Sequence, residues 1–374
     1  MVVVILENRS FDQVIGHREM PYLNALANGG ALMTRAYFAQ IPYGVVPAGQ
    51  ASYLPARPSQ PNYLYLYSGH HQGVLPSWFQ SPGSPYTGTA TNDAAGNKLR
   101  SPLPSTAVGI GNNLIPASMR PFTTPSLGAT LIENGRTFAS FSESLPYPRY
   151  DEASDPSPIA DLYRRKHNPA INWINLPGRT VPEDKRRFLL PVEANLAFAS
   201  TTDPADGKRY RGFAMDADGR RIGYDRLPTV SIVVPSEQHD LHSAGEAAGE
   251  AWLVANIKPY ADWARDHDSL LIVTFDEDGT TNSSHGAAYR TGIDPILTLF
   301  YGPPGKVIPG QYDEPVDHLN LVATLLDRYG LLDQFKRDFA QAHPQAEREL
   351  ANLRPILDVF GEGQRLAPIE VRRD

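Results

Sequence analysis

The 374-residue sequence contains no cysteine, and this absence excludes three kinds of chemistry. Disulfide bonds, thiolate-bound metals and a cysteine nucleophile all require that side chain. For the same reason the sequence carries no information on the redox compartment of the protein. A functional site in this chain must be built from other side chains.

Long apolar runs and an excess of basic residues are also missing. The longest apolar stretches, such as 270–275 and 296–301, are far too short to cross a bilayer. A formal net charge of −7 disfavours a nucleic-acid-binding protein, which normally presents a basic surface. No signal peptide is recognisable at Met1. We therefore expect a soluble protein with no membrane span and no nucleic-acid partner.

A polar cluster follows the first apolar run of the chain. Residues 2–6 are all Val, Ile or Leu, and Glu7 and Asn8 come directly after them. An unbroken run of this kind is typical of a strand buried on both faces, as in a parallel sheet covered by helices. Because ligands bind at the carboxyl ends of such strands, Glu7 and Asn8 are candidate site residues. The alternative is an ordinary turn and helix N-cap.

Histidines follow a second predicted strand, at 229–234. The chain continues there through His239, Asp240 and His242. The imidazoles could protonate a leaving group or bind an oxyanion, and Asp240 could orient one of them. The alternative interpretation gives one of the two histidines a structural role only.

Three adjacent carboxylates, Asp276, Glu277 and Asp278, follow a third predicted strand at 269–275. Neighbouring carboxylates repel each other unless a positive charge lies among them. A hard divalent cation held by carboxylate and amide oxygens explains the pattern, with further ligands arriving from the first strand. Charge crowding at a turn is the alternative, since a glycine comes next.

Ser59 stands between two prolines, ahead of a Tyr/Leu segment at 63–67 that is predicted to form a buried helix. The dipole at a helix N-terminus favours anions, so this serine suits a phosphate-binding nucleophile. A proline-bounded helix cap is the alternative. Further along, Asp317 is predicted to cap a helix that carries His318 in its first turn.

Alternating strands and helices predict an α/β fold with a largely parallel central sheet, built as one large domain or two smaller ones. Two segments without regular periodicity, about 76–125 and 145–225, are predicted to be long loop insertions. Charge runs in the second segment are interpreted as solvated faces or hairpin turns. Residues 336–374 are predicted to be a helical appendage.

Five sequence blocks complete the pattern. They read Glu7-Asn8-Arg9-Ser10-Phe11-Asp12, Pro58-Ser59-Gln60-Pro61-Asn62-Tyr63, Asp240-Leu241-His242, Thr274-Phe275-Asp276-Glu277-Asp278 and Asp317-His318-Leu319. In this order they resemble the acid phosphatase and bacterial phospholipase C family of the alkaline phosphatase-like superfamily. The resemblance runs from residue 2 to about 331. It implies an alkaline phosphatase-like fold, a three-layer sandwich in a single catalytic α/β domain over 1–335, and a metal-assisted phosphoesterase.

The resemblance also implies a ligand set. Four residues, Glu7, Asn8, Asp276 and Glu277, would hold the metal, and Ser59 would be both metal-bound and the nucleophile. An oxygen-rich set favours Ca, Mg or Mn, while Zn stays possible.

The reaction implied is hydrolysis of a small phosphate ester through a phosphoserine intermediate. His242 or His318 would assist the departing alcohol, with Asp240 as a further catalytic group. The expected substrate contacts are Asn8, Asn62, His239 and His285.

Two departures favour the shorter, phosphatase-like branch. Gln13 follows Phe11-Asp12 where phospholipase-like members often have histidine, and their additional C-terminal domains are not seen. A phospholipase C-type phosphodiesterase with a lipid substrate is the main alternative. A non-catalytic cation- or phosphate-binding protein is another, but it would not need Ser59. A serine esterase is disfavoured because no G-x-S-x-G motif occurs. By resemblance, a periplasmic or secreted location is expected.

Overall fold

The fold is known from a computed structural model. It describes residues 1–42, 45–46, 53–55, 58–75, 98–99, 108–156, 162–279 and 294–361. The strands are β1 (Val2–Leu6), β2 (Ala31–Ala36), β3 (Gln40–Pro42), β4 (Val45–Val46), β5 (Tyr53–Pro55), β6 (Val74–Leu75), β7 (Lys98–Leu99), β8 (Val108–Gly109), β9 (Phe138–Ser142), β10 (Asn195–Ala197), β11 (Thr201–Thr202), β12 (Arg209–Tyr210), β13 (Val230–Val234), β14 (Leu271–Phe275), β15 (Ile296–Tyr301) and β16 (Gly310–Tyr312).

Helices lie between several of these strands and after the last one. The α-helices are α1 (Phe11–Val14), α2 (Pro21–Gly29), α3 (Ser59–Ser68), α4 (Leu127–Glu133), α5 (Glu246–Asn256), α6 (Lys258–Asp266), α7 (His318–Asp327), α8 (Leu332–Ala342) and α9 (Glu347–Asn352). Short 3₁₀ helices cover Ala117–Met119, Arg165–His167, Pro169–Trp173, Glu183–Phe188, Val192–Ala194 and Tyr224–Arg226.

An eight-stranded sheet lies at the centre, in the order β10-β9-β13-β1-β14-β15-β2-β16. All neighbouring pairs from β10 to β14 are parallel, and β16 is parallel to β2. Only β15 runs in the opposite direction, between β14 and β2. The predicted largely parallel central sheet is therefore confirmed.

Four neighbouring strands of this sheet are rich in apolar residues and buried throughout. Every residue of β9, β13, β1 and β14 is buried. Alternate side chains of a strand point to opposite faces, so both faces must be covered. One group of helices in mutual contact comprises α2, α5 and α6, and a second group comprises α3, α4, α7 and α8. Two helical layers around one sheet give the predicted three-layer α/β fold.

The predicted insertions and appendage are described only in part. Most of 76–125 lies outside the described residues, and the described parts of 145–225 consist of 3₁₀ helices and the antiparallel pair β11–β12. Within 336–374, Phe339 and Leu353 are fully buried in the main hydrophobic cluster. The division into one catalytic domain and an appendage stays a prediction.

Candidate active site

Three polar segments meet at one edge of the central sheet. Because β13, β1 and β14 are parallel neighbours, their carboxyl ends lie side by side. The Glu7 amide donates to the Asp240 carbonyl at 2.8 Å, and the Asp276 amide donates to the Leu6 carbonyl at 3.0 Å. Glu7, Asp240 and Asp276 are all completely buried. The structure thus brings together carboxylates that are far apart in sequence.

Asn8 links the ends of β1 and β14. Its φ of 46° is left-handed, a conformation that Asn adopts more readily than most residues. Its backbone N–H donates to Asp276 Oδ1 at 3.2 Å. With its amide oriented to suit its neighbours, Nδ2 donates to Asp276 Oδ1 (3.0 Å) and Glu277 Oε1 (3.3 Å), and Oδ1 accepts from His242 Nε2 (3.2 Å). Asn8 therefore contacts two of the three predicted metal-ligand carboxylates and His242, one of the two histidines predicted as the general acid.

The turn after β14 and the turn after β1 approach each other closely. The Gly279 amide donates to Ser10 Oγ at 3.2 Å. A Cβ at Gly279 would collide with the Gln13 side chain and lie 3.0 Å from the Asn8 carbonyl oxygen. The absent side chain lets the turn after β14 pack directly against the turn after β1.

Ser59 enters the site as the first residue of α3. All ten residues of this helix are buried, and Ser59 Oγ donates to Glu7 Oε2 at 3.2 Å. One turn later, Tyr63 Oη donates to Glu7 Oε1 at 2.5 Å. Both carboxylate oxygens of Glu7 thus accept from α3, with the serine at the positive end of the helix dipole.

Burial and crowding dominate the electrostatics of the carboxylates. The pKa of Glu7 lies well above its usual value because of burial, with further contributions from the charges of Asp276 and Asp240. Burial raises the pKa of Asp240 to about 8 and the pKa of Asp276 to about 6. Removing these groups from water disfavours their charged forms, and a cation among them would reverse that effect.

The donor set fits a hard divalent cation. Asp240 Oδ2 and Asp276 Oδ2 are buried, and neither accepts a hydrogen bond from the described part of the chain. The surrounding donors are carboxylate, amide and hydroxyl oxygens, which Ca, Mg and Mn prefer. The carboxylate and hydroxyl oxygens belong to Glu7, Ser59, Asp276 and Glu277, and Asn8 would add its amide oxygen by turning that oxygen from His242 towards the carboxylates. The assignment of these five residues as ligands stays a prediction.

His167 belongs to the same site and was missed in the sequence. Its Nε2 lies 3.3 Å from Glu7 Oε1, and its Nδ1 lies 4.0 Å from Asp240 Oδ2. Its ring stacks on Tyr63 with centroids 5.1 Å apart. Burial, followed by the charge of Lys166, holds the pKa of His167 well below its usual value, so the imidazole is neutral.

No motif marked this residue. His167 follows three basic residues inside the irregular, charge-mixed segment 145–225, where mixed charges usually indicate a solvated surface. Among the described residues, His167, Glu237 and Asp240 also lie close enough together to hold a metal ion. Only the tertiary fold shows this proximity.

The two histidines after β13 have different surroundings. His242 is 39% exposed in its side chain, contacts Asn8, and lies where the buried carboxylates meet solvent. His239 instead approaches Glu143 at 2.9 Å and stacks on Trp252 at 6.3 Å. His242 therefore contacts the site directly, whereas the contacts of His239 lie away from it.

The remaining predicted residues are placed as follows. His318 is buried at the start of α7, where Asp317 caps the helix as predicted, and its Nε2 lies 2.9 Å from the Phe275 carbonyl. Burial lowers the pKa of His318 to about 4. Asn62 is fully buried on α3, and neither its side-chain nitrogen nor its oxygen has a hydrogen-bond partner within the described ranges. His285 lies outside the described residues.

Residues 202–332 match the model of the Phosphoesterase family. This range contains β13 and β14 with the acidic residues that follow them, together with α7 and His318.

Two named relatives are similar to the chain. One is a phosphatidylinositol-3-phosphatase of Mycobacterium tuberculosis, 29% identical over 362 residues, which cover 97% of this chain and 83% of that protein. The other is an acid phosphatase of Aspergillus fumigatus, 22% identical over 199 residues, which cover 52% of this chain and 37% of that protein.

Among solved structures, a protein in the alkaline phosphatase superfamily from Vibrio parahaemolyticus overlaps with the chain at a TM-score of 0.44 and 12% identity. The overlap covers 88% of this chain and 66% of that one. The family model over residues 202–332 and the two relatives confirm the resemblance predicted from the sequence, and with it the predicted class of enzyme, a hydrolase that acts on phosphoric esters.

Proposed function

We propose that the protein is a metal-dependent phosphatase that hydrolyses phosphate monoesters through a phosphoserine formed on Ser59. The observation that carries this proposal is the contact between Ser59 Oγ and Glu7 Oε2 at 3.2 Å. A buried serine hydroxyl at a helix N-terminus, among carboxylates, has little structural need for such a position. As an activated nucleophile, it has a clear chemical use there.

A divalent cation held by Glu7, Asn8, Ser59, Asp276 and Glu277 would lower the pKa of the serine hydroxyl and offset charge on the phosphoryl oxygens. Glu7 orients the hydroxyl, and Tyr63 fixes the carboxylate of Glu7 from its other oxygen. The rigid, buried α3 holds Ser59 in place for in-line attack.

In the first half-reaction Ser59 Oγ forms a bond to phosphorus, and the bond from phosphorus to the ester oxygen breaks. The departing alcohol then needs a proton. His242 suits this role better than His318, because it contacts Asn8 and reaches solvent, while His318 is buried against the Phe275 carbonyl. In the second half-reaction water attacks phosphorus and releases Ser59 and inorganic phosphate.

The pKa of His242 supports an acidic working range. Burial lowers this pKa below its usual value, so the imidazolium that donates a proton becomes populated only in mildly acidic solution. This agrees with the acid phosphatase among the named relatives.

The substrate class is a phosphate monoester, because both named relatives are phosphatases. The phosphatidylinositol-3-phosphatase is named for a lipid substrate, so a phosphorylated lipid headgroup is a reasonable physiological substrate. Within the described ranges, no helix is long and apolar enough to cross a membrane. A soluble headgroup or a lipid at a membrane surface would both present the same phosphate group.

Hydrolysis of p-nitrophenyl phosphate tests the proposal. The purified protein should release phosphate only with a divalent cation present, and Ser59→Ala should lower kcat by about 10³-fold or more. Ser68→Ala, at the other end of the same buried helix, is the matched control and should keep near-normal kcat. Normal turnover by Ser59→Ala would reject the nucleophile. A preference for p-nitrophenyl phosphorylcholine would instead indicate a phosphodiesterase.

A further inference from the structure

Three arginines converge on one carboxylate beside the segment that carries His167. Arg165 Nε and Nη2 donate to Asp151 Oδ1 at 3.0 and 2.8 Å, and Arg120 Nη1 donates to the same oxygen. Arg179 Nη2 lies 3.7 Å from Asp151 Oδ2. Asp151 thus faces three guanidinium groups, which we call the arginine cluster.

These guanidiniums are withdrawn from water. The side chains of Arg120 and Arg165 are 4% and 2% exposed, and that of Arg179 is 19% exposed. Each also has a buried nitrogen without a hydrogen-bond partner among the described residues: Arg120 Nε, Arg165 Nη1 and Arg179 Nη1. An unsatisfied buried donor destabilises a fold, so three of them on arginines around one carboxylate are unusual for a purely structural network.

The positive charges of the arginine cluster also outnumber the negative charge of Asp151. Three cations around one anion leave two positive charges, and no second carboxylate of the described chain pairs with these arginines. Burial, followed by the charge of Arg120, lowers the pKa of Arg165 and of Arg179. The three guanidiniums therefore repel one another in a region where water screens them poorly.

We propose that the arginine cluster is a second anion site, which binds a phosphate dianion. Two negative charges on one small group offset the two excess positive charges. The oxygens of a tetrahedral oxyanion can accept hydrogen bonds from several directions at once, which suits three donors on three different side chains. Guanidinium groups are the side chains best shaped for such contacts.

The site is linked by sequence to the candidate active site. Arg165 begins the 3₁₀ helix that ends at His167, whose ring faces Glu7. One turn of chain therefore carries a member of the arginine cluster and a member of the carboxylate site. The dianion has two sources, free phosphate or the second phosphate group of a doubly phosphorylated substrate.

Isothermal titration of the metal-loaded, full-length protein with inorganic phosphate tests the site. Wild type should bind two phosphates per chain, one at each site. Arg179→Gln should weaken one of them at least tenfold, and because Arg179 is the most exposed of the three, this variant is the safest for folding. Arg187→Gln, which removes an exposed arginine paired with Glu133 and Asp338, is the charge-matched control and should still bind two.

Asp151→Asn should change the affinity for phosphate in the opposite direction to Arg179→Gln. Removing the single anion raises the excess charge of the cluster, so phosphate should bind more tightly at this site than in wild type. Loss of folding cannot produce tighter binding. Phosphate binding that is the same in Arg179→Gln as in wild type would overturn the proposal.

A kinetic comparison separates the two sources of phosphate. If the second phosphate group of a substrate fills the cluster, Arg179→Gln should lower kcat/KM for a sugar bisphosphate but not for p-nitrophenyl phosphate. If free phosphate fills it, the two substrates should be affected equally. The titration is read as binding, so failure of the proposed phosphoserine mechanism would leave its result unchanged.

Discussion

Tyr63 contacts two other residues of the candidate active site, Glu7 and His167. It lies one turn after Ser59, donates to Glu7, and stacks on His167. Burial, followed by the charge of Glu7, raises its pKa well above the usual value, so the hydroxyl stays protonated and donates at every working pH. Its contribution is to fix the position of Glu7.

Replacing Tyr63 by Phe should lower kcat while the protein stays folded. The ring and its stacking on His167 are kept, but Glu7 Oε1 loses its donor. Loss of a hydrogen bond to a charged group costs about 1.5–3 kcal/mol, which corresponds to roughly 10- to 100-fold in kcat if Glu7 shifts. Tyr67→Phe, on the same helix but bonded to Ser140, is the control. Equal kcat for both variants would contradict this role.

Binding of a divalent cation should release protons. In the metal-free protein the pKa of Asp240 is about 8, so this group holds a proton at pH 7, and burial raises the pKa of Glu7 well above its usual value. A cation favours the carboxylate forms, and on the order of one proton per chain should leave. Titration of chelator-treated protein with metal in weakly buffered solution measures this release. A release that is zero at pH 7 would argue against binding at these carboxylates.

At the scale of single residues, sequence pattern marks the positions of Glu7, Asp276 and Ser59 more clearly than those of the histidines. Glu7, Asp276 and Ser59 each lie beside a strand end or helix start that sequence pattern marks. His167 comes from an irregular segment, and its distance from Glu7 depends on how that segment folds over the sheet. His239 lies near the predicted site in sequence, but its ring turns to Glu143.

Among the elements, α7 begins directly after the capping residue Asp317 and carries the candidate site residue His318 in its first turn. Asp317 accepts from the backbone amides of Leu319 and Asn320, and the Asn320 side chain accepts from the Asp317 amide. This reciprocal arrangement satisfies amides that the helix cannot satisfy itself. It also fixes the first turn, where His318 reaches the Phe275 carbonyl.

Asp317→Ala should destabilise the protein by about 0.5–2 kcal/mol, because those amides lose their acceptor. Asp327→Ala removes an acidic residue at the other end of the same helix, where the dipole makes a negative charge unfavourable. That control should be neutral or slightly stabilising. Urea unfolding of the two variants measures the difference, and equal midpoints would show that the cap contributes little.

Strands were more predictable than their directions. Short runs of mostly apolar residues identify β1, β13 and β14, because a strand that is buried on both faces needs apolar side chains at nearly every position. The reversed direction of β15 has no such signature. A run of apolar residues suits a parallel and an antiparallel strand equally well. The direction of β15 therefore depends only on the path that the chain takes around the sheet.

For the molecule as a whole, acid stability should depend on a stack of histidines that joins α3 to α8. His70 lies between His71 and His343, with ring centroids 4.3 and 3.9 Å away. The Nδ1 atoms of His70 and His71 accept from the backbone amides of Gln72 and Gly73. A protonated ring could not accept, so the fold requires the neutral forms.

The direction of the pH effect follows from the pKa values. Burial lowers the pKa of His71 to about 3 and of His343 to about 4, while an unfolded histidine titrates near 6.5. Below pH 6.5 the unfolded state therefore binds more protons than the folded state. The free energy of unfolding should fall as the pH drops from 6.5 towards 4.

His343→Gln should make that decline shallower, since one proton-binding site of the unfolded chain is lost. Each pKa unit corresponds to about 1.4 kcal/mol, so the difference between the variant and wild type should be measurable in Tm between pH 7 and pH 5. His267→Gln, which removes an exposed histidine, should leave the slope unchanged. Parallel curves for wild type and His343→Gln would count against the stack as the cause.

Helix α3 is buried along its whole length, and this has a consequence for heat inactivation. A helix with no solvent-facing side cannot fray or open alone, so its amide hydrogens should exchange only when the whole domain unfolds. The proposed nucleophile is part of that helix. Catalysis should therefore persist on warming until the fold itself is lost, instead of fading at a lower temperature through local loosening around Ser59.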